Sequence, residues 1–250
     1  ALNLPAVMAG ERLSPIDNKD MNRVFPGKWN GTITEVIAHY VHEVILPLCD
    51  AVLDIHSGGY SLNLTPYISM HYLENKIQTE QTLAALKAFQ APIGLIMREY
   101  SGSGLLDYAV EDMGKIFLCA ELGGRGYLSR PTLQIAEIGT RNFLKHFDIL
   151  RGDTKDWSNT DNETQFMEVS EPANYHIVIS NGVYESLCEL GEEVAVNQVL
   201  GLVHFLDYPS RQPEQVIANR SGMIIGIRGP SRVSIGDCVA VIATKIEGSI

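Results

Sequence analysis

Apolar residues recur at helical spacing from Thr32 to Leu46, with Ile33, Val36, Ile37, Tyr40, Val41, Val44 and Ile45 on one face. Pro47 predicts the end of that helix, because it offers no backbone N–H to continue the ladder. Ala51 to Ile55 is a short apolar run bounded by Gly58-Gly59, the pattern of a buried strand. A second helix is predicted over Thr79 to Gln90, stopped near Pro92. Ile93 to Met97 and Ile116 to Ala120 are further buried-strand runs, the latter followed by Gly123-Gly124. A third helix is predicted over Thr132 to Lys145, after Arg130-Pro131. Strands alternating with helices imply an α/β fold with a mostly parallel sheet flanked by helices.

The pattern then changes. Residues 153–165 are polar, with Asp153, Asp156, Ser158, Asn159, Asp161, Asn162 and Glu163, and are read as a linker. Beyond them the helical periodicity disappears. Short β-type runs follow at Tyr175 to Ser180, Gly182 to Cys188, Gln198 to Phe205, Gln215 to Ala218, Gly222 to Ile227 and Cys238 to Ala243. The expected organisation is an α/β domain over 1–152 and a small all-β domain over 166–250. Two segments, "LGEEVAVNQVLGLV" and "VSIGDCVAVIA", both set Gly-acid before a valine and an apolar strand. Such half-repeats suit a barrel-sandwich-like domain. No lysine sits between them to carry a lipoyl or biotinyl group, so the domain is read as one that shapes or covers a site.

Composition narrows the function. The chain has 250 residues, 45% of them hydrophobic and 20% charged, enough apolar material for a real core and too little charge for a disordered chain. A formal net charge of −11 argues against binding a phosphate backbone, so no nucleic-acid partner is expected. No apolar run is long enough to span a bilayer, and no membrane association is expected. Cys49, Cys119, Cys188 and Cys238 are widely spaced and form no CxxC pair, which suits reduced thiols in a cytoplasmic protein.

Three segments carry candidate chemistry. In "LDIHSGG", a period of two puts Asp54 and His56 on one face at the carboxyl end of a strand, where α/β sheets gather ligands. An aspartate beside a histidine can orient the imidazole so that its other nitrogen binds a metal. In "IFLCAELGG", Glu121 ends an apolar run before a double glycine, where a carboxylate can act on water. In "ERLSPIDNKDMNRVFPGKWNG", Arg12, Asn22 and Arg23 offer a guanidinium fork and oriented dipoles to a carboxylate or carbonyl. Other groups are weaker. "HYVHE" is neither H-E-x-x-H nor H-x-x-E-H, so His39, His42 and Glu43 are read as the margin of a packing helix. "SGSG" at 101–104 lacks the Lys-Ser/Thr of a phosphate loop, and no G-x-S-x-G elbow exists. Cys119, inside an apolar strand, is read as core.

Together, "DMNRVFPG", then "DIHSGG" about thirty residues on, then "AELGG", resemble the succinylglutamate desuccinylase/aspartoacylase family, whose fold is that of the zinc carboxypeptidases. The likeness runs over nearly the whole chain. The text "NLPAVMAGERLSPIDNKDMNRVFPG" and "VIANRSGMIIGIRGPSRVSIGDCVAVIA" looks most like the branch that deacetylates N-acetyl-2,4-diaminobutyrate in ectoine breakdown. The resemblance implies a zinc-dependent amidohydrolase, with one zinc per chain, acting on a small-molecule N-acyl amino acid. It implies His56 as a zinc ligand with Asp54 as its supporting partner, and Glu121 as the general base. It implies Arg12 as the group that polarises the scissile carbonyl, with Asn22 and Arg23 holding the substrate carboxylate. The family's other two zinc ligands come from an H-G-x-E motif that does not occur in these 250 residues. The expectation is that the chain is part of a longer protein with that motif ahead of Ala1. Desuccinylase or aspartoacylase specificity is the alternative within the enzyme class, and it turns on whether Arg98 or Arg125 points into the pocket. A metal-free small-molecule binding protein is the alternative outside it. A homo-oligomer is compatible with the apolar strands of the β-domain.

Overall fold

The structure, a computed structural model, describes residues 2–98, 103–153 and 164–246. Residues 154–163 of the expected linker and the first half of the SGSG loop lie outside the described residues, and Gln165, at the end of that linker, begins a strand. In chain order the elements are α1 (Leu4–Ala9), α2 (Ile33–Tyr40), β1 (Ala51–His56), β2 (Leu62–His71), α3 (Lys76–Phe89), β3 (Ile93–Met97), α4 (Leu106–Glu111), β4 (Ile116–Gly124) and α5 (Arg130–His146). Nine strands follow: β5 (Gln165–Val169), β6 (Tyr175–Ile177), β7 (Gly182–Ser186), β8 (Glu193–Val194), β9 (Val199–His204), β10 (Glu214–Ile217), β11 (Gly222–Arg228), β12 (Arg232–Val233) and β13 (Cys238–Lys245). No helix among the described residues is long and apolar enough to cross a membrane.

The chain divides into two units. The first comprises Ala1–Leu53, Leu73–Thr82 and Glu99–Leu118. In it α2 starts from a capping box in which Thr32 and Glu35 satisfy each other's end of the first turn. Asp17 adds a second cap, accepting from the Thr34 backbone N–H at 2.9 Å and from its hydroxyl at 2.8 Å. Beyond Tyr40 the helix widens to a π turn over Val41–Ile45 and tightens to a 3-10 turn over Leu46–Leu48, where Pro47 removes a donor. The helix and its stop are those the apolar spacing predicts. In the same unit Gln78 Nε2 donates to the carbonyls of Glu111 and Lys115, tying α3 to the end of α4.

The second unit comprises Asp54–Tyr72, Leu83–Arg98 and Cys119–Ile250. Its larger sheet has the order β1-β4-β2-β3-β5-β13-β11-β8, with β6 on β13 and β2 also on β11. β2, β3 and β5 run parallel, and β4 is antiparallel to β2. The pairings of β2, β3, β5, β13 and β11 close into a ring. Leu64, Tyr67, Ile93, Leu95, Met167, Val169, Ile225, Val241 and Ala243, drawn from all five strands, form one buried cluster inside it. Helix α5 packs on α3 through a glycine, since a Cβ at Gly139 would lie 2.3 Å from the buried ring of Phe89.

The β-region carries an internal two-fold. β6 pairs β13 as β10 pairs β9, β7 pairs β12 as β11 pairs β8, and β7 pairs β9 as β11 pairs β13. The half-repeats therefore align differently from the Gly-acid match in the sequence. Asn197-Gln198 is equivalent to Gly236-Asp237. Asn197 and Gly236 both have positive φ, 68° and 94°. Gln198 Oε1 accepts from the Ala195 N–H at 3.1 Å, and Asp237 Oδ2 from the Ser234 N–H at 2.7 Å. Turn geometry, which tolerates asparagine or glycine at one position, is what the halves share.

Candidate functional site

β1 and β4 are neighbours in the sheet; β4 ends in Gly123-Gly124, and Gly58-Gly59 follows β1 after Ser57. Those glycines bring the strand ends together. The Gly58 N–H donates to the Gly123 carbonyl at 3.0 Å, and the Gly126 N–H to the Gly59 carbonyl at 2.9 Å. On β4 a Cβ at Gly124 would lie 1.8 Å from the Leu62 carbonyl oxygen of β2, so no other residue fits that approach. The side chains just before each glycine pair therefore converge.

From β1, Asp54 and His56 project to the same face, and Asp54 Oδ2 sits 2.8 Å from His56 Nε2. Both are partly buried, with His56 35% and Asp54 25% exposed. A carboxylate on Nε2 fixes the ring's orientation and directs a metal contact through Nδ1. From β4, Leu118, Ala120 and Leu122 are buried, while Cys119 and Glu121 between them are partly buried and share the opposite face. Glu121 Oε2 is shielded from solvent. His56, Cys119 and Glu121 each present a ligand atom within 4.8 Å of the other two, a geometry met by no other His/Cys/Asp/Glu group among the described residues. Nitrogen, sulfur and carboxylate oxygen form a donor set suited to zinc.

Across the ladder Tyr67 of β2 stands opposite Glu121, and Ser69, opposite Cys119, donates to the Cys119 carbonyl at 3.1 Å. Burial, with the nearby Glu121, Cys119 and Tyr175, pushes the Tyr67 hydroxyl well above the usual tyrosine range, so it stays a neutral donor.

Arg12, Asn22 and Arg23 belong to the first unit. The exposed Arg12 guanidinium meets Asp20 Oδ2 at 2.8 Å. Asn22 Oδ1 accepts from the Leu106 N–H at 2.7 Å, at the start of α4, so the donors of its Nδ2 are what it can offer a ligand. Arg23 bends back to the Asn22 carbonyl. Arg98 lies over the Tyr72 ring, 5.9 Å from its centroid, and Tyr72 donates to Glu168 at 2.9 Å. His42 contacts its neighbour Glu43 at 2.9 Å.

Sequence reasoning missed Cys119. Its place inside an apolar run reads as core, yet it lies partly buried two residues before Glu121 on one strand. The period-two argument that paired Asp54 with His56 pairs these two as well.

A partly buried histidine–aspartate pair facing a shielded glutamate, at adjoining strand ends of this sheet, belongs to the zinc-carboxypeptidase-like fold. The chain matches the succinylglutamate desuccinylase/aspartoacylase catalytic domain over residues 1–147. It belongs to that family. It is 37% identical over 247 residues to the N-alpha-acetyl-L-2,4-diaminobutyric acid deacetylase of Halomonas elongata, a match covering 98% of this chain and 71% of that protein. Two solved structures superpose closely. The product-bound ectoine utilization protein EutE (DoeB) of Ruegeria pomeroyi has a TM-score of 0.92 at 38% identity, covering 98% of this chain and 73% of its own. A succinylglutamate desuccinylase/aspartoacylase of Rhodobacter sphaeroides has a TM-score of 0.93 at 34% identity, covering 99% and 74%. Family and relatives together support a hydrolase of the deacylase kind.

Proposed function

We propose that the chain carries the site of a zinc-dependent amidohydrolase that removes the acyl group from an N-acyl amino acid, with N-acetyl-2,4-diaminobutyrate as substrate. The observation that carries this reading is the approach of the His56, Cys119 and Glu121 ligand atoms to within 4.8 Å of one another, with Asp54 bracing His56. The relative from Halomonas elongata supplies the substrate.

His56 is the metal-holding imidazole and Asp54 fixes its ring. When bound, zinc supplies Lewis acidity, polarising the acyl carbonyl and making water more acidic. Glu121 takes the proton from the attacking water and returns it to the departing amine, so one carboxylate serves both halves of the reaction. Tyr67, its cross-strand partner on β2, is held neutral and so puts no second negative charge next to that carboxylate. Arg12 carries the positive charge that steadies the oxyanion, and Asn22 with Arg23 takes the substrate carboxylate in paired hydrogen bonds. In that role Asn22 uses Nδ2, because Oδ1 is occupied by the Leu106 N–H.

The test is amine release by the zinc-loaded full-length protein from N-acetyl-2,4-diaminobutyrate, N-succinylglutamate and N-acetylaspartate. The expected result is a kcat/KM highest for the first. A preference for either of the others moves the specificity within the family. Tight binding of all three without hydrolysis or metal would overturn the enzyme reading in favour of a binding protein.

A further inference from the structure

The loops that follow β1 and β4 both meet a turn from the C-terminal β-region. β11 pairs with β2 in the register Gly226–Leu64, Ile227–Asn63 and Arg228–Leu62, and one step further the Gly229 N–H donates to the Ser61 carbonyl at 2.8 Å. Ser61 ends the loop that begins after His56. Gly229 is half-buried, and a Cβ there would lie 2.8 Å from the Tyr60 carbonyl oxygen and 3.2 Å from Cγ of Arg125. Arg125 opens the loop after Glu121 and its glycine pair. One residue of the β-region therefore touches both loops. Its φ lies outside the left-handed region, so this close approach, and not the backbone angle, calls for a glycine.

The turn is anchored on its own side. The Arg228 guanidinium meets Asp237 Oδ2 at 2.7 Å and donates to the Arg232 carbonyl. The Tyr184 N–H of β7 donates to the Ser231 carbonyl at 2.7 Å. Pro230 fixes one backbone angle between these anchors. The two loops are also tied to each other, by the Arg125 N–H on the Leu62 carbonyl at 3.2 Å and by the Gly58–Gly123 and Gly126–Gly59 hydrogen bonds. A shift at Tyr60 or Arg125 is thus passed along short, hydrogen-bonded backbone to His56 and Glu121.

We propose that Gly229 is a positioning residue for the candidate metal centre: it sets the spacing of the loops behind His56 and Glu121, and so the place of the base relative to the metal-holding imidazole. The proposal rests on the metal-centre reading above and gives the C-terminal β-region a task at that site. Alanine at 229 adds one methyl, and the Tyr60 carbonyl or the Arg125 stem must move to admit it. A misplacement of about 1 Å costs a reaction about 10²-fold, so a shift of part of that distance should cost about tenfold.

The full-length wild type is compared with Gly229→Ala and with Gly191→Ala. Gly191 is the control. It lies in the same β-region with a φ of 83° and open space around its Cβ, so alanine there strains the backbone without pressing on the site. Zinc affinity is read by chelator competition, ligand geometry by the visible spectrum of the cobalt(II) form, and kcat and KM by amine release. The proposal expects Gly229→Ala to bind zinc about tenfold more weakly and to shift the cobalt bands. Its kcat should fall about tenfold, with KM within about twofold of wild type. Gly191→Ala should lower the urea midpoint and leave the other readouts unchanged. Wild-type zinc affinity and cobalt bands in Gly229→Ala, or equal losses in Gly191→Ala, overturn the proposal. Should Gly229→Ala fail to fold, Asp237→Asn decides, since it keeps an acceptor for the Ser234 N–H and removes the charge that anchors Arg228. It should weaken zinc binding in the same direction, and wild-type affinity there overturns the proposal. Weakened zinc binding in Gly229→Ala beside a wild type that hydrolyses no N-acyl amino acid defeats only the hydrolase reading. Hydrolysis and zinc binding both unchanged in Gly229→Ala defeat only the positioning role.

Discussion

Replacing Gly124 with alanine tests how β4 is held against β2. The added Cβ would lie 1.8 Å from the Leu62 carbonyl oxygen, 2.9 Å from the Leu62 carbonyl carbon and 3.1 Å from the Asn63 Cα, all of them backbone atoms. No side-chain rotation relieves this contact. The strands must part by more than an ångström where Asn63 and Leu64 pair with Gly124 and Gly123. Overpacking of this severity costs at least ~3 kcal/mol, and one or two weakened ladder hydrogen bonds add about 1 kcal/mol each. Gly123→Ala is the control. Its φ of 77° is left-handed, but its nearest neighbour is a side-chain methyl of Thr132 at 3.3 Å. That backbone conformation costs a non-glycine residue only about 1–2 kcal/mol. Urea unfolding followed by circular dichroism, with equal slopes for the three proteins, should rank wild type above Gly123→Ala and Gly123→Ala above Gly124→Ala. At roughly 2–4 °C per kcal/mol for a chain of this size, Gly124→Ala should melt about 8–20 °C below wild type. A loss under ~1 kcal/mol for Gly124→Ala, or one smaller than that of Gly123→Ala, would refute the close approach of β4 to β2.

Two further outcomes follow from the structure. Asp54→Asn should weaken zinc binding by about 10–100-fold in a chelator competition, because the amide no longer braces His56 as an anion; unchanged affinity would separate Asp54 from the metal. Burial raises the Asp17 carboxyl, but its hydrogen bonds to Thr34, Thr32 and Lys19 outweigh that and hold it well below the ordinary 3.8. Its contribution to α2 is therefore fully present above the ordinary value and is lost as pH falls through the lower folded one. Asp17→Ala should cost about 1 kcal/mol at pH 7 and progressively less in acid, read from urea midpoints across pH; a pH-independent difference would contradict the cap.

Much of the site was legible because it obeys strand periodicity at motif ends. Asp54 and His56 share a face as a period of two requires, and Glu121 stands at the end of its apolar run. β2 was not legible, although it lies inside the sheet between β4 and β3. Asn63, Thr65, Ser69 and His71 break up its apolar content, and Pro66 argues against a central strand. The structure accommodates the proline where the β2–β4 register shifts, between Leu64 and Tyr67, so the donor it lacks falls at an irregularity. β5 was hidden for another reason. Its five residues adjoin a polar stretch, and only its tertiary pairings, parallel to β3 and antiparallel to β13, make it a strand. The side-chain partners of Arg12 and Asn22 were equally unreadable, since Asp20 and the Leu106 N–H become their neighbours only through the fold.

The central claim is that His56 holds a divalent cation beside which Glu121 moves the proton. Zinc content and turnover, measured together on the full-length wild type, Glu121→Gln and His56→Ala, test it most directly. The account predicts one zinc per chain in the wild type. Glu121→Gln should keep that zinc while turnover falls by about 10²–10⁴, and His56→Ala should lose the metal. Wild-type turnover in Glu121→Gln, or undiminished zinc affinity in His56→Ala, would contradict it.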